Sequence, residues 1–502
     1  MVSIVCHGTK DCTHGAHLPG FSYPPLYSAR HPSHYACCLS AFDEGYDGSN
    51  RKRPDSFSKP ERRIRDILFF RVLDTVWCSF TETITSAGGR ILHPIARNNI
   101  LSVLNEITVG RFTVATDSGT ITFGVAEDDL RATLRVKSEA FWMRVALFTD
   151  LGLAEAFMFG RRWVQYHYSS ILIANRRALT AGTDTILVWT LSKGRLLTRN
   201  KFIGNLTNSR ANISAHYDLG NAMFSAFLSE DMNYSSAIFK DFNEDLDPTT
   251  SVRESLEDAQ LRKTRLVLKK ANILPGQRVL ELGTGWGSLA ILAAKMFDCT
   301  VETVTLSFNQ AAFARERIED AKLSNKITVH CMDFRECTLH PEWAGSFDRV
   351  ISVEMLNHIG KDFLIEYWAV IDWALKPDTG VGVIQGICIP EARVAQYDTS
   401  VDFAQKWCAG HLVVDSVLNI GPHYSRTLRE WKRKFLANWN SVIAKALVAQ
   451  YNLDAEGLEI FKRKWIYYFD YSEAGCRTRT LGTYMVTFTR EGNVDFGCDV
   501  EF

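Results

Sequence analysis

The segment from Val279 to Gly287 constrains the fold of this chain more than any other. It reads Val-Leu-Glu-Leu-Gly-Thr-Gly-Trp-Gly, an apolar strand that runs into three glycines and should open a helix. Glycines at a strand end let the backbone adopt positive φ and let a ligand approach closely. The glycines are each two residues apart, so the spacing differs from the dinucleotide fingerprint, whose last step is longer. The segment predicts a cofactor site at the end of a first strand.

Around this turn, apolar runs and helical stretches alternate as they do in a doubly wound α/β sheet. The last apolar run should add an antiparallel strand at the C-terminal end. The pattern therefore predicts a mixed α/β fold with a Rossmann-like sheet. We expect its strands at residues 278–282, 301–306, 327–331, 349–354, 381–387 and 480–488.

A smaller α+β module is predicted ahead of this sheet. It should contain strands at 107–114, 120–124 and 132–136 and a helix at 139–148. Residues 161–208 then read as a helix that is followed by a polar connector at 192–209. Residues 1–60 lack periodicity and read as a disordered leader. The expected divisions are a leader at 1–60, an accessory domain at 61–190, a linker at 191–210 and a catalytic domain at 211–502.

Charge and hydropathy limit the classes of partner that this chain is expected to bind. Lys and Arg total 57 and balance 57 Asp and Glu, so no global field attracts nucleic acid. The apolar run at 67–80 is interrupted by Arg71 and Asp74 and is shorter than the roughly 18 residues of a spanning helix. Twelve cysteines show no framework spacing, and no signal-type segment follows the N-terminus. These features predict an intracellular, cytoplasmic protein that reaches a membrane only from its surface.

Two alternatives remain open near the N-terminus. A basic amphipathic stretch from Ile64 suits an interfacial helix, although an ordinary packed helix fits it better. Five leader residues could bind zinc, but their spacing fits no standard finger and favours a flexible tail. They are Cys6, His7, Cys12, His14 and His17.

Ordered motifs on both sides of the glycine turn resemble the cyclopropane-fatty-acyl-phospholipid synthase family of class I methyltransferases, which use S-adenosylmethionine (SAM). The similarity runs from roughly residue 95 to the end, and the module resembles the accessory domain of full-length members. The motifs are Ala215-His216-Tyr217-Asp218-Leu219-Gly220-Asn221, Met232-Asn233-Tyr234-Ser235, Thr305-Leu306-Ser307-Phe308-Asn309-Gln310, Asp333-Phe334-Arg335, Ser352-Val353-Glu354-Met355, Gly421-Pro422-His423-Tyr424 and Glu473-Ala474-Gly475.

The resemblance implies a fold, an activity and a set of cofactor residues. The activity is transfer of a methyl or methylene unit to the double bond of an unsaturated phospholipid acyl chain, giving a cyclopropane or a methyl-branched lipid. Asp333 is placed to reach an adenine edge, and Phe334 is equally compatible with a core position. The residues expected around SAM are Tyr234, Ser235, Glu281, Gly283, Gly285, Gly287, Thr305, Gln310, Asp333 and Phe334.

In the family a bound bicarbonate removes a proton from the new methyl group after a carbocation forms. The matching anion-holding positions are Ser236, Asn357, Gln385, Ile387 and Tyr424, and the first three differ from the family's Cys, Glu and His. Asn, Gln and Ser can donate hydrogen bonds, so the pocket could still hold bicarbonate. The amide of Asn357 cannot take up a proton, which predicts methyl-branched, methylene or unreacted lipid at the expense of cyclopropane. Glu354 is then an alternative base, or else a structural carboxylate.

The cation must be shielded from water, and aromatic faces stabilise it. The aromatic candidates are Tyr217, Trp286, Tyr424 and Tyr471. Residues 405–412 replace a turn of the family with a shorter one, which leaves the acyl-chain wall and the substrate open. The expected partners are an unsaturated phospholipid or other lipid, a membrane surface and a second copy in a homodimer, without nucleic acid or a resident metal. A methyltransferase of another hydrophobic metabolite and a non-catalytic lipid- or SAM-binding protein are the alternatives.

Overall fold

The structure is a computed structural model that describes residues 89–125, 130–158, 162–165, 168–181, 220–250, 252–359, 363–388, 412–493 and 496–497. The leader, its zinc candidates and the basic stretch from Ile64 lie outside these ranges. So do the predicted linker, Tyr217 and the shortened turn at 405–411.

The N-terminal module is built on a four-stranded sheet in the order β2-β1-β3-β4. The strand β1 pairs antiparallel with β2 and parallel with β3, and β4 adds antiparallel to β3. Strands β2 and β3 begin within one residue of their predicted starts, whereas β1 begins at Arg111, four residues after the predicted start at 107. The strands are β1 (Arg111–Thr116), β2 (Gly119–Gly124), β3 (Arg131–Val136) and β4 (Arg162–Gln165).

The predicted helix from residue 161 is wrong at its start, because β4 occupies residues 162–165. Four residues are too few for a periodicity to appear, and backbone pairing with β3 decides their conformation. The helix predicted at 139–148 forms but continues to residue 158. The helices of the module are α1 (Gly89–Leu104), α2 (Ala140–Met158), α3 (Tyr168–Ala174) and α4 (Arg176–Ala181).

The larger sheet has seven strands in the order β10-β11-β9-β8-β5-β6-β7. Strands β5 to β9 pair in parallel, while β11 is antiparallel to both β9 and β10. The parallel strands and the antiparallel C-terminal strand confirm the predicted fold class, whereas β10 was not predicted. The strands are β5 (Arg278–Leu282), β6 (Thr300–Thr305), β7 (Ile327–Cys331), β8 (Arg349–Val353), β9 (Val381–Cys388), β10 (Leu412–Asn419) and β11 (Gly482–Arg490).

Helices flank this sheet and close its C-terminal part. The remaining helices are α5 (Asn221–Ser225), α6 (Leu256–Ala271), α7 (Ser288–Phe297), α8 (Phe308–Asp320), α9 (Leu356–Ile359), α10 (Leu364–Ala374), α11 (Gly421–Ala437), α12 (Ala444–Tyr451) and α13 (Ala455–Arg477). Short 3-10 turns lie at Glu244–Leu246, Phe334–Leu339 and Pro341–Trp343, and a π-helical turn at Trp439–Ile443 links α11 to α12. In the part of the chain described, no helix combines the length and apolarity needed to span a bilayer.

Helix α13 packs against both the N-terminal module and helix α11 of the part that contains the seven-stranded sheet. Its Tyr467 packs against the apolar core of the module, and its ring centroid lies 5.8 Å from that of Phe157 in α2. Arg463 also donates a 3.5 Å hydrogen bond to the carbonyl oxygen of Met158, at the last residue of α2. The module therefore docks on the same helix whose other face packs against α11.

Candidate functional site

A cavity opens at the carboxyl ends of β5, β6, β7 and β8, where ligands bind in doubly wound sheets. Every residue that the sequence places around SAM lines this cavity, with the exception of Gly287. Those residues are Tyr234, Ser235, Glu281, Gly283, Gly285, Thr305, Gln310, Asp333 and Phe334. The structure thus gathers positions separated by 100 residues of sequence at one edge of the sheet.

Gly287 does not line the cavity but packs against helix α8. A Cβ atom added there would lie 3.1 Å from the Cβ of Ala314 in α8. That spacing is tighter than ordinary van der Waals contact, so the missing side chain lets the start of α7 approach α8. The glycine therefore supports the turn from behind rather than contacting a ligand in the cavity.

Gly283 follows β5 directly and forms part of the cavity wall. Its φ is +103°, in a region that other residues rarely adopt, and an added Cβ would lie 3.3 Å from Met355 Cβ. The position consequently requires glycine for both backbone and space. An open strand end with bare backbone fits the close approach of a nucleoside cofactor, so the residues present fit SAM.

The carboxylate of Glu281 is buried at the end of β5 and lines the cavity. Thr303 Oγ1 donates a 2.6 Å hydrogen bond to Glu281 Oε2 and lies 2.7 Å from Thr284 Oγ1. Burial raises the pKa of Glu281 to about 8, with the Thr303 hydrogen bond and the Lys263 charge opposing the shift. A buried acid with free oxygen capacity at a strand end can accept hydroxyl donors from a ribose.

Asp333 and Phe334 follow β7. The Asp333 carboxylate accepts from Arg335 Nε at 2.8 Å and from Arg335 Nη2 at 2.9 Å, and it also caps the following 3-10 turn. The Asp333 oxygens thus already accept hydrogen bonds from within the protein. The sequence, in contrast, predicted that this carboxylate reaches the edge of an adenine. Phe334 packs edge-on against Tyr367 at 5.8 Å and lines the cavity as well, so it serves both environments considered from the sequence.

Glu354 lies directly after β8 and is surrounded by residues predicted to hold an anion. Its Oε1 accepts 2.9 Å hydrogen bonds from the Ser236 backbone N–H and from Gln385 Nε2, and its Oε2 accepts a 2.7 Å bond from the Tyr424 hydroxyl. The carboxylate is buried, and Glu354 itself lines the cavity. Burial raises the pKa of Glu354, although the three donors and the Lys263 charge favour the ionised form.

The other two predicted anion ligands face each other. Asn357 Oδ1 accepts a 2.9 Å hydrogen bond from the Ile387 backbone N–H. Asn357 therefore acts as an acceptor here, whereas the sequence suggested an amide donor to an anion. This contact joins the start of α9 to the end of β9, beside the Glu354 network.

Lys263 is a component of the site that the sequence reading missed. It is fully buried on α6, where its Nζ donates to Ser235 Oγ at 2.8 Å and to Asn233 Oδ1 at 3.2 Å. Burial lowers the pKa of Lys263, while the charges of Asp231, Glu354 and Glu281 oppose that shift. A signal was present, because Lys263 occupies the apolar stripe of α6 together with Gln260.

Of the aromatic candidates that the structure describes, Trp286 and Tyr424 lie at the candidate site and Tyr471 does not. Trp286 lines the cavity, and Tyr424 contacts Glu354 through its hydroxyl. Tyr471 does not line the cavity. It is half-exposed and stacks on Tyr467 of α13. Tyr234, a predicted cofactor residue, stacks on Trp431 at 5.1 Å and belongs with Trp286 to one large aromatic core.

Residues 205–484 match the sequence model of the mycolic acid cyclopropane synthetase family. Among curated proteins, the cyclopropane-fatty-acyl-phospholipid synthase of Escherichia coli is 30% identical over 383 residues, which cover 72% of this chain and 88% of that protein. The tuberculostearic acid methyltransferase of Mycobacterium tuberculosis is 33% identical over 303 residues, covering 57% of this chain and 66% of that protein.

A solved structure of coclaurine N-methyltransferase, bound to N-methylheliamine and S-adenosylhomocysteine, resembles this chain in fold. It has a TM-score of 0.51 at 20% sequence identity and covers 68% of this chain and 99% of its own. At that identity the likeness concerns the fold alone. It agrees with the class I methyltransferase sheet described above.

Proposed function

The chain belongs to the mycolic acid cyclopropane synthetase family, and on that premise we propose that it alkylates the double bond of an unsaturated phospholipid acyl chain. The protein is a SAM-dependent methyltransferase that acts on lipid. The two relatives differ in what their names describe, a cyclopropane synthase in one case and a methyltransferase in the other. The phospholipid substrate and the cyclopropane product are the finer parts of the proposal.

Cofactor binding is assigned to the cavity at the strand ends. Gly283 and Gly285 leave the backbone bare, Glu281 offers buried carboxylate oxygens, and Gln310 closes the side formed by α8. Thr305 Oγ1 donates a 3.0 Å hydrogen bond to Gln310 Oε1, which fixes that amide at the cavity wall. When bound, SAM supplies an electrophilic methyl group on a sulfonium.

The reaction needs a dry site and a base. The aromatic core that includes Tyr234, Trp286 and Trp431 excludes water on one side of the cavity. Glu354 provides a buried carboxylate in the same wall. The proposal rests on one observation: the glycine turn and the hydrogen-bonded carboxylate of Glu354, which can accept a proton, line the same cavity.

The N-terminal module is assigned to lipid delivery, with contact at the membrane surface. Its docking on α13 through Tyr467 supports this role, because α13 also packs against α11, which carries Tyr424. A lipid bound at the module would thus lie against a helix connected to the site of chemistry.

Expression in a host that lacks cyclopropane lipids tests the proposal. Mass spectrometry of total lipids should reveal unsaturated phospholipids that have gained one CH2 unit. The Gly283→Val variant is the control and should give unaltered lipids. Unaltered lipids with the wild-type protein, together with intact SAM binding, would contradict phospholipid alkylation and favour another hydrophobic substrate or a binding role.

A further inference from the structure

We propose that the carboxylate of Glu354 is a built-in replacement for the bicarbonate implied by the family resemblance and is the base that receives the proton. The inference rests on the proposed lipid alkylation. Three predicted bicarbonate ligands, Ser236, Gln385 and Tyr424, bond to Glu354 itself. The residues present therefore do not fit an exchangeable bicarbonate.

The chemistry of the two anions explains the replacement. A carboxylate and a bicarbonate both present a planar pair of oxygens that accept hydrogen bonds, so the same donors can hold either. The backbone N–H, the amide and the phenol at 2.7 to 2.9 Å occupy acceptor positions on both oxygens of Glu354. An external anion would find these donors already engaged.

The remaining two predicted bicarbonate ligands, Asn357 and Ile387, bond to each other. The Ile387 N–H would be the fourth donor to bicarbonate, but it bonds to Asn357 Oδ1 at 2.9 Å. Asn357 therefore need not take up a proton itself. Its amide character, which from the sequence alone predicted impaired ring closure, is compatible with a base located at residue 354.

The backbone of Glu354 provides an independent observation. Its φ is +56°, in the left-handed region that a residue with a side chain adopts at an energetic cost. The N–H of Glu354 is held by the Gln385 carbonyl at 2.7 Å, so pairing with β9 and the three side-chain bonds maintain the conformation. Strained backbone of this kind concentrates at functional sites, and here it directs a carboxylate into the donor set.

Lys263 balances part of the buried negative charge. It lies near enough for its charge to favour the ionised forms of Glu354 and Glu281. Burial acts in the opposite direction and raises the pKa of Glu354. A carboxylate with a raised pKa is a stronger base than an ordinary glutamate, which suits proton removal near neutral pH.

The step balances without another reactant. The alkene electron pair forms a carbon–carbon bond to the methyl group as the sulfur–methyl bond breaks, leaving a neutral thioether and a carbocation. Glu354 then removes a proton from the new methyl group, and the electron pair of that C–H bond closes the three-membered ring. Glu354 ends protonated and returns its proton to solvent before the next turnover.

Two matched variants separate an internal base from a bound one. Glu354→Gly removes the carboxylate, relieves the positive φ and opens the donor set, whereas Glu354→Gln keeps the volume but cannot take up a proton. Turnover on unsaturated phospholipid vesicles is measured in bicarbonate-depleted buffer and after bicarbonate is added. Bicarbonate binding to each protein is measured by calorimetry.

Wild-type turnover should be indifferent to bicarbonate. Both variants should lose roughly 100-fold or more in rate, the usual contribution of general base catalysis. Bicarbonate should bind to Glu354→Gly and restore much of its rate, and it should do neither for Glu354→Gln. A wild-type rate that depends on bicarbonate, or a Glu354→Gln variant with wild-type turnover, would overturn the inference.

Failure of the proposed function has a different signature. If wild-type protein alkylates no phospholipid under either condition, the binding measurement alone decides the inference. Bicarbonate binding confined to Glu354→Gly supports the built-in carboxylate, and equal binding by all three proteins refutes it.

Discussion

The hydroxyl of Tyr424 donates a 2.7 Å hydrogen bond to Glu354 Oε2 and so joins the first turn of α11 to the end of β8. Burial and the neighbouring Glu354 charge raise the pKa of Tyr424 well above its ordinary value. The phenol therefore keeps its proton and remains a donor. Through this contact helix α11 helps to orient a carboxylate in the wall of the cavity at the strand ends.

The substitution Gly283→Ala should weaken SAM binding by roughly tenfold or more, because the Cβ intrudes on a wall that the ligand approaches. Gly276→Ala is the matched control, since Gly276 also has positive φ but an added Cβ meets nothing within 4 Å and the residue does not line the cavity. Calorimetric SAM titrations compare the two. Equal loss of affinity in both variants would show that backbone strain alone is responsible.

The glycine turn and the parallel strands were predictable because each produces a local pattern. The apolar run of β5 is buried on both faces, with Val279, Leu280 and Leu282 all inaccessible, and such strands give continuous apolar sequences. The edge strand β10 was missed for the opposite reason. Its exposed Val413, Val414 and Val417 lack the buried alternation that identifies a strand.

The substitution Lys263→Met should move the acid limb of the pH–rate profile to higher pH. Removing a nearby positive charge disfavours the ionised carboxylate, so the pKa of Glu354 rises and the base is active only at higher pH. Lys270→Met is the control, because Lys270 lies on the same helix and donates to Ser416 Oγ at 2.9 Å. A rate that falls equally at every pH would indicate a purely structural role for Lys263.

Glu281 should make stability depend on pH. Its pKa is raised from 4.5 to about 8 on folding, so its stabilising contribution is complete below its unfolded pKa and declines as pH rises toward about 8. Thermal unfolding of wild type and Glu281→Gln across that window measures the effect. The wild-type melting temperature should fall relative to that of the variant, and parallel curves would contradict the assignment.

The substitution Tyr467→Ala should loosen the module from α13 and lower turnover on vesicles several-fold while SAM affinity is unchanged. Detergent-dispersed phospholipid should be affected less, because it needs no delivery from a bilayer. Tyr451→Ala is the control, since Tyr451 is partly buried in the catalytic half. Equal losses of Tyr467→Ala on both substrate forms would remove the support for lipid delivery.

The sequence offered Glu354 only as an alternative base, because the hydrogen-bond network around this carboxylate is assembled from distant segments. Glu354 and Ser236 lie in loops, whereas Gln385 lies within β9 and Tyr424 lies in α11. Only folding brings their atoms into contact. Position matching alone assigned Asn357 a direct role at the anion. The structure instead pairs it with Ile387 and leaves the carboxylate three residues earlier at the centre of the network.

The most direct measurement follows the fate of the transferred methyl group. Wild-type protein is incubated with unsaturated phospholipid vesicles and SAM that carries three deuterium atoms on its methyl group, and the alkylated lipid is analysed by mass spectrometry. If Glu354 removes a proton from the new methyl carbon, the product retains two deuterium atoms, and Glu354→Gln forms little of it. A product that retains all three deuterium atoms, or phospholipid that takes up none, would contradict the account.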